Sequence, residues 1–319
     1  MRALLVLVAL SAAFGAAHAQ YPSKPIRLVV GFAPGGAADA VSRTIGDPLG
    51  RLLGQSIVID NRPGNGSSLA AELVAKAPPD GYTMLIASPS SQSVNPAMNK
   101  HLGYVPDRDF TPITKVTSSP LVVAVHPSVP ATNLRELIAY AKANPGKLNY
   151  GSSGNGAAPH LGAVLFSRMA GVEMVHVPYK GGGPAVQALL AGDVQLSFAT
   201  PPSVLPLVQA GRLRGLAVTT RVASPSVPGL VGMEAAGLPG YDLTFWYGFF
   251  VPAGTPADVV KKLFYATSEV LKRADVKATL AREGTDLDGS RSPEAFAAFL
   301  KEDAKLWQQL VKDTGARVD

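Results

Sequence analysis

The sequence contains no cysteine. Disulfides and thiolate metal sites are therefore excluded, as is a lipid anchor carried on an N-terminal cysteine. Histidine is scarce. Beyond the first twenty residues only His101, His126, His160 and His176 occur, with no i, i+4 pair and no H-E-x-x-H arrangement. No metal and no cofactor are expected of such a set. Charged residues make up 16% of the chain, against 47% hydrophobic. The net charge is +6, yet Lys and Arg are scattered, with no run of five and no interleaved aromatics. That pattern reads as a solvated surface with a mild pull on anions, and a nucleic-acid partner is not expected.

What is present starts with an export signal. Met1-Arg2 is a short basic start, Ala3 to Gly15 is apolar, and Ala17-His18-Ala19 has the small-x-small pattern of a cleavage site. Residues 1–19 are read as a signal peptide, removed near Ala19, since Gln20-Tyr21-Pro22 breaks any helix. About 300 residues would remain, with no later run near the ~18 apolar residues a membrane helix needs. A freely diffusing protein of the periplasm is expected.

The remaining chain alternates strand and helix. Ile26–Phe32, Ile57–Asp60 and Thr83–Ala87 are β-branched apolar runs, and Ala38–Leu53 places Val41, Ile45, Leu49 and Leu52 at helical spacing. Further strands are read at Leu121–Val125, Leu148–Tyr150, Met174–Val177, Gln195–Phe198 and Gly215–Val218. Asn133 and Glu136 have capping-box spacing. The fold class is α/β, with a mainly parallel sheet in each of two lobes and helices on both faces. A strand, Gly-rich loop and helix unit occurs twice, at 26–53 and 148–170. Lobe 1 is therefore assigned residues 20–122 and 245–319, and lobe 2 residues 123–244. The chain would cross near Leu121–Val125 and return near Phe245–Val251.

Two loops carry candidate chemistry. The first is Phe32-Ala33-Pro34-Gly35-Gly36 with Asp39, where a strand ends and a helix begins. Unpaired N–H groups and the helix dipole suit such a place to a carboxylate. Ala37-Ala38 stand where a phosphate-binding P-loop needs Lys and Ser/Thr, which argues against a nucleotide. Asp39 is assigned either to the helix dipole or to a ligand amino or hydroxyl group. In the second case Asp39→Ala would weaken amino or hydroxy acids more than simple acids. The second loop has the same physics: Ser152, Ser153, Asn155, Gly156 and Ala157, followed by His160. Ser88 and Ser90 after the third strand, and Thr200 with Pro201, also lie at strand carboxyl ends, where open α/β sheets bind ligands. Tyr179–Gly183 is read as an ordinary helix-capping loop, and Phe245-Trp246-Tyr247 as a buried crossover. An exported hydrolase would have to use Ser152 or Ser153 with His160, and no G-x-S-x-G supports one.

A set of short motifs runs through the chain in fixed order. It comprises Gly31–Gly36 with Asp39 and Arg43, Asp60–Gly64, Pro79–Thr83, Gly151–Gly154 with His160, Val177–Gly181, Gly240–Asp242 and Pro252–Pro256. In these the chain resembles the Bug-type solute receptors of tripartite tricarboxylate transporters. The resemblance implies a two-lobed, Venus-flytrap periplasmic binding protein and no enzyme activity. It implies a small carboxylate ligand (a dicarboxylate, amino acid or aromatic acid) gripped by the loops Phe32–Gly36, with Asp39, and Ser152–Ala157. A monomer is expected, working with a membrane permease or presenting ligand to a sensor kinase. Three departures from the family pattern stand out: Ala157 in place of a common serine, Asn65-Gly66-Ser67-Ser68 in place of a more glycine-rich stretch, and Ala188 in place of a common aspartate.

Overall fold

The computed structural model describes residues 21–99 and 101–314. The signal peptide expected over residues 1–19 lies outside them. Among the described residues the strands are β1 (Ile26–Val30), β2 (Ile57–Asn61), β3 (Thr83–Ala87), β4 (Phe110–Pro120), β5 (Val122–Val125), β6 (Leu148–Ser152), β7 (Met174–Pro178), β8 (Leu196–Ala199), β9 (Arg214–Val218), β10 (Thr244–Pro252) and β11 (Asp286–Leu287). The main helices are α1 (Ala37–Leu53), α2 (Ser68–Ala75), α3 (Leu134–Ala143), α4 (Ala158–Ala170), α5 (Gly182–Ala191), α6 (Pro201–Gln209), α7 (Ala257–Leu271), α8 (Ala274–Arg282) and α9 (Pro293–Thr314). No described helix is long and apolar enough to cross a membrane.

The strands form two sheets, in the orders β11-β4-β10-β3-β1-β2 and β7-β6-β8-β5-β9. Both are mixed, which corrects the expectation of mainly parallel sheets. β1 runs parallel to β2 and β3, and β6 to β7 and β8. β10 is antiparallel to β3 and β4, β11 to β4, and β5 to β8 and β9. The reason lies in the connections. Parallel neighbours need a helical crossover, whereas a chain that passes directly from one sheet to the other arrives against the local direction. β4 also corrects the sequence reading, which left Phe110–Pro120 without a strand. Its Pro112 and Pro120 and its Thr and Ser residues hide an eleven-residue strand that pairs with β10.

Local sequence explains the elements. β1 packs Ile26, Leu28 and Val30 into one core and Val29 into another, with Leu85, Trp246 and Phe250, so it is apolar but for Arg27, which pairs with Asp60 of β2. α1 buries Val41, Ile45, Leu49 and Leu53. It stops at Gly54, whose left-handed backbone (φ 73°) returns its N–H to the Gly50 carbonyl. The Asn133 side chain caps α3 by accepting the Glu136 N–H at 3.0 Å, and the Glu136 carboxylate reaches back to the Thr132 N–H at 2.6 Å. The last helix, α9, packs on β4 and also on α4, so it spans both sheets. Its Asp303 accepts hydrogen bonds from the indoles of Trp246 on β10 (2.8 Å) and Trp307 (3.2 Å).

The chain passes between the sheets at Leu121 and again near Leu243. One buried residue holds both passages. The Leu121 N–H donates to the Thr219 hydroxyl (2.7 Å), which in turn donates to the Leu243 carbonyl (2.7 Å). The Thr219 N–H donates to the Leu121 carbonyl and the Leu243 N–H to the Thr219 carbonyl, both at 2.9 Å. Thr219→Val keeps the shape but leaves the Leu121 N–H buried without an acceptor. It should lower stability by about 1–3 kcal/mol, read as a lower denaturant midpoint at unchanged slope.

Candidate functional site

The loop after β1 is held from within. The Asp39 carboxylate accepts the Gly35 N–H (3.1 Å), Arg43 Nε (3.0 Å) and Nη2 (2.9 Å), and the Asn61 amide (3.1 Å). The same Asn61 amide holds the Phe32 carbonyl at 3.0 Å. An ionised carboxylate has about four lone-pair sites. Asp39 is thus saturated by its own loop, and these hydrogen bonds with Arg43 hold its pKa below the usual carboxylate value in spite of burial. These bonds hold the loop in shape from within. At the start of α1, Gly36 offers no side-chain cap. The phenol of Tyr247, wholly buried on β10, lies against the Ala38 N–H. The remaining first-turn N–H groups point outward from the helix end.

The loop after β6 is framed by aromatic rings. The Ser152 hydroxyl accepts the Gly154 N–H at 3.1 Å and sits 2.6 Å from His176 Nε2. His160 Nδ1 accepts the Gly156 N–H at 3.2 Å. The rings of His160 and His176 stack 4.1 Å apart, and Tyr150 stacks on His176 at 4.9 Å. Burial drives the His160 pKa down to about 3, with the neighbouring His176 adding to the effect, and burial takes His176 to about 4. Both rings are neutral near pH 7. α4 begins at Ala157, again with no side-chain cap. A hydrolytic reading finds a serine and a histidine in contact here. However, Ser152 is fully buried and His176 is too weak a base for general-base work near neutrality.

Each of the two loops meets a segment from the other sheet. The Ala33 N–H donates to the Lys180 carbonyl at 2.9 Å, which joins the first sheet's loop to the segment before α5. A methyl group placed on Gly181 would lie 2.9 Å from the Ala33 nitrogen, and one on Gly183 2.9 Å from the Pro34 carbonyl oxygen. Gly182 approaches Gly36 on one side and Thr200 and Ser203 on the other. Thr200 caps α6 in position only, its hydroxyl 2.8 Å from that of Ser203, and Pro201 opens the helix. On the other flank, Gly66 lies against the Asn155 carbonyl and the Ala157 nitrogen, and Gly156 against the Asn95 side chain. Ser88 and Ser90 are buried at the head of the Ser90–Val94 turn, which contacts the Asn65–Ser67 turn. The structure therefore sets Phe32–Gly36 against Gly181–Gly183, with Thr200 beside Gly182, and Ser152–Ala157 against the Asn65–Ser67 turn and Asn95; Ser88 and Ser90 lie behind that turn, and Pro201 lies against Gly284. His160 supports its loop from below.

The sequence reading took Tyr179–Gly183 as an ordinary helix-capping loop and Tyr247 as part of a buried crossover, and gave no site role to His176, Asn95 or Asn65–Ser67. The three consecutive glycines of 181–183 were the one visible signal, since such a run permits close backbone approach. The seam is shut. The cavity beside Asn65, Ser68, Asn95 and Asn155 measures only about 30 Å³. A groove of about 680 Å³ lies elsewhere, between α9 and the Thr220–Val222 and Asp242–Thr244 segments, and includes none of the seam loops. A carboxylate needs far more room than one water. Among the described residues no cluster of His, Asp or Glu could hold a metal.

The histidine stack gives a pH dependence. Both pKa values are depressed on folding, so between about 6.5 and about 4 the unfolded chain binds protons that the folded chain does not. Stability should fall as pH drops through that window, by roughly 1.4 kcal/mol per pH unit for each ring. Denaturant unfolding of the protein and of His160→Gln at pH 7, 6 and 5 checks this, and the variant should show the shallower loss.

Comparison with known proteins agrees with this geometry. The family model described as "Tripartite tricarboxylate transporter family receptor" matches residues 41–316. Protein BugT of Bordetella pertussis is 32% identical over 300 residues, covering 93% of this chain and 91% of that one. The structure of Rpa4515 of R. palustris with adipate is 36% identical, with a TM-score of 0.90 over 93% of this chain and 100% of that one. MatC from Rhodopseudomonas palustris with bound malate is 32% identical, with a TM-score of 0.86 over 91% and 100%. The chain belongs to the family of Bug-type solute receptors of the tripartite tricarboxylate transporters.

Proposed function

We propose that this protein is a periplasmic receptor that captures a small carboxylate between its two lobes and delivers it for uptake by a membrane permease. The observation that carries this reading is that a helix-opening loop of each sheet meets the other sheet's loops in one seam: Phe32–Gly36, before α1, lies against Gly181–Gly183, and Ser152–Ala157, before α4, lies against the Asn65–Ser67 turn. α1 and α4 both start without a side-chain cap. Each therefore presents backbone donors and the positive end of a dipole at the seam. Arg43, the cation beside the first loop, is already paired with Asp39. The seam grips an anion with neutral, preorganised donors and leaves no strong bare charge to be buried when it closes. The relatives solved with adipate and with malate support the same ligand class.

The lobes are assigned as residues 20–122 with 245–319, and 123–244, after removal of residues 1–19. Ligand enters with the lobes apart and bridges α1 and α4 as they close, so binding favours the closed shape by its contacts with both. Phe32–Gly36 and Ser152–Ala157 form the grip. Thr200, Pro201, Ser88 and Ser90 complete the wall, while Asp39 and His160 hold the loops in shape.

A thermal-shift screen of unfolded and refolded protein against mono-, di- and tricarboxylates, amino acids and aromatic acids tests the reading. A ligand at ~100 times its Kd adds about 2.7 kcal/mol, expected as a shift of several degrees. No shift with any acid would sink the proposal. Asp39→Ala, which frees the Gly35 N–H and unpairs Arg43, should weaken amino-bearing and plain acids alike. Selective loss of the amino acids would instead put the carboxylate on the ligand.

A further inference from the structure

Ser67 stands out among the residues of the seam. It is fully buried, and its hydroxyl has no hydrogen-bond partner. Its backbone is left-handed (φ 78°), as is that of Asn65 (φ 46°) and Gly66 (φ 56°) before it. A left-handed conformation is costly for a residue with a Cβ, and a buried hydroxyl without a partner is costly again. Such outliers persist where the surroundings enforce them, and they concentrate at ligand clamps.

The ordinary explanations are already taken up elsewhere. Ser67 occupies the N-cap position of α2 but makes no capping hydrogen bond. The polar work of this turn falls to its neighbour: the Ser68 hydroxyl accepts the Asn95 amide at 2.7 Å and the Tyr104 hydroxyl at 3.4 Å. Ser67 instead faces Gly31, at the carboxyl end of β1. A methyl group placed on Gly31 would lie 1.9 Å from the Ser67 oxygen. On its other side Gly66 touches Asn155 and Ala157 of the opposite lobe. The hydroxyl therefore faces the start of the loop after β1, and the turn that carries it touches the loop after β6 through Gly66.

We propose that Ser67 is a ligand-contacting residue that sets specificity, its hydroxyl bonding a second oxygen function of the ligand. This rests on the carboxylate-receptor reading. One carboxylate is met by the two helix N-termini. Ser67 belongs to neither, on a third loop, so the oxygen that it meets is a different one. The protein then prefers acids that carry another carboxylate or a hydroxyl over plain acids of the same length.

Refolded protein, Ser67→Gly and Ser67→Ala are titrated calorimetrically with matched acids: succinate and malate against butyrate, and adipate against hexanoate. The unchanged protein should favour the oxygen-rich member of at least one set. Both variants should bind that member about tenfold more weakly or worse, as expected for a lost hydrogen bond to a charged group. They should bind the plain acid as before. Ser67→Gly should also melt higher than the unchanged protein without ligand, because glycine relieves the left-handed strain. An equal loss for both members, no loss for either, or a preference for the plain acid overturns the inference. If the unchanged protein binds no acid at all, the carboxylate reading fails first, before any variant is compared.

Discussion

The geometry of the cleft depends on the Thr219 side chain and backbone. The two passages between the sheets run side by side at Leu121 and Leu243, and Thr219 bonds to both. Two strands that pass independently would let the lobes shear as well as swing. Tied through one buried residue, they are held side by side, and on the two-lobed reading proposed above they would act as a single pivot. α9 reinforces the arrangement by packing on both β4 and α4. The seam loops lie at strand carboxyl ends of both sheets, so the pivot decides whether they meet in register.

Where the loops meet, they do so through the main chain. Gly36, Gly66, Gly154, Gly156, Gly181, Gly182 and Gly183 all approach backbone or a buried side chain of the opposite lobe. Close approach brings amide dipoles of both lobes to the seam. The charges nearby are neutralised in place: Asp39 by Arg43, and Asp60 by Arg27 and Arg62. Leaving a bare charge in a closing cleft would carry a desolvation penalty each time it shut. Backbone donors carry little of that penalty, because partial charges are cheaper to bury than whole ones.

Much of this was legible beforehand. The two strand–loop–helix units, the alternation of elements and the capping of α3 follow from local pattern and short-range chemistry. The two Gly-rich loops were identifiable because a glycine run between strand and helix exposes a helix end. What was not legible depends on distant partners. β4 is built on Thr, Ser and Pro, and becomes a strand through pairing with β10, over a hundred residues later. His176 sits on a strand where nothing local marks it, and acquires its role from stacking on His160 and Tyr150. Asp39 looked available because its spacing shows a helix start. Arg43 lies one helical turn on and reaches it by i,i+4 spacing, whereas the part that Asn61 takes depends on the register of β1 beside β2. The sheets looked parallel because each begins with βαβ units, while the strands that turn them mixed enter from the other lobe.

The glycine seam separates two properties that are usually linked. The seam is held by main-chain contacts, which a change of side chain hardly alters, whereas on the reading proposed above the ligand would be discriminated by a few hydroxyls set around them. The lining can therefore be rewritten without rewriting the closed outline. One scaffold of this design could be retuned across a series of acids while presenting the same outer surface in the loaded state, which makes it a modular reagent in which recognition and signal are independent parts.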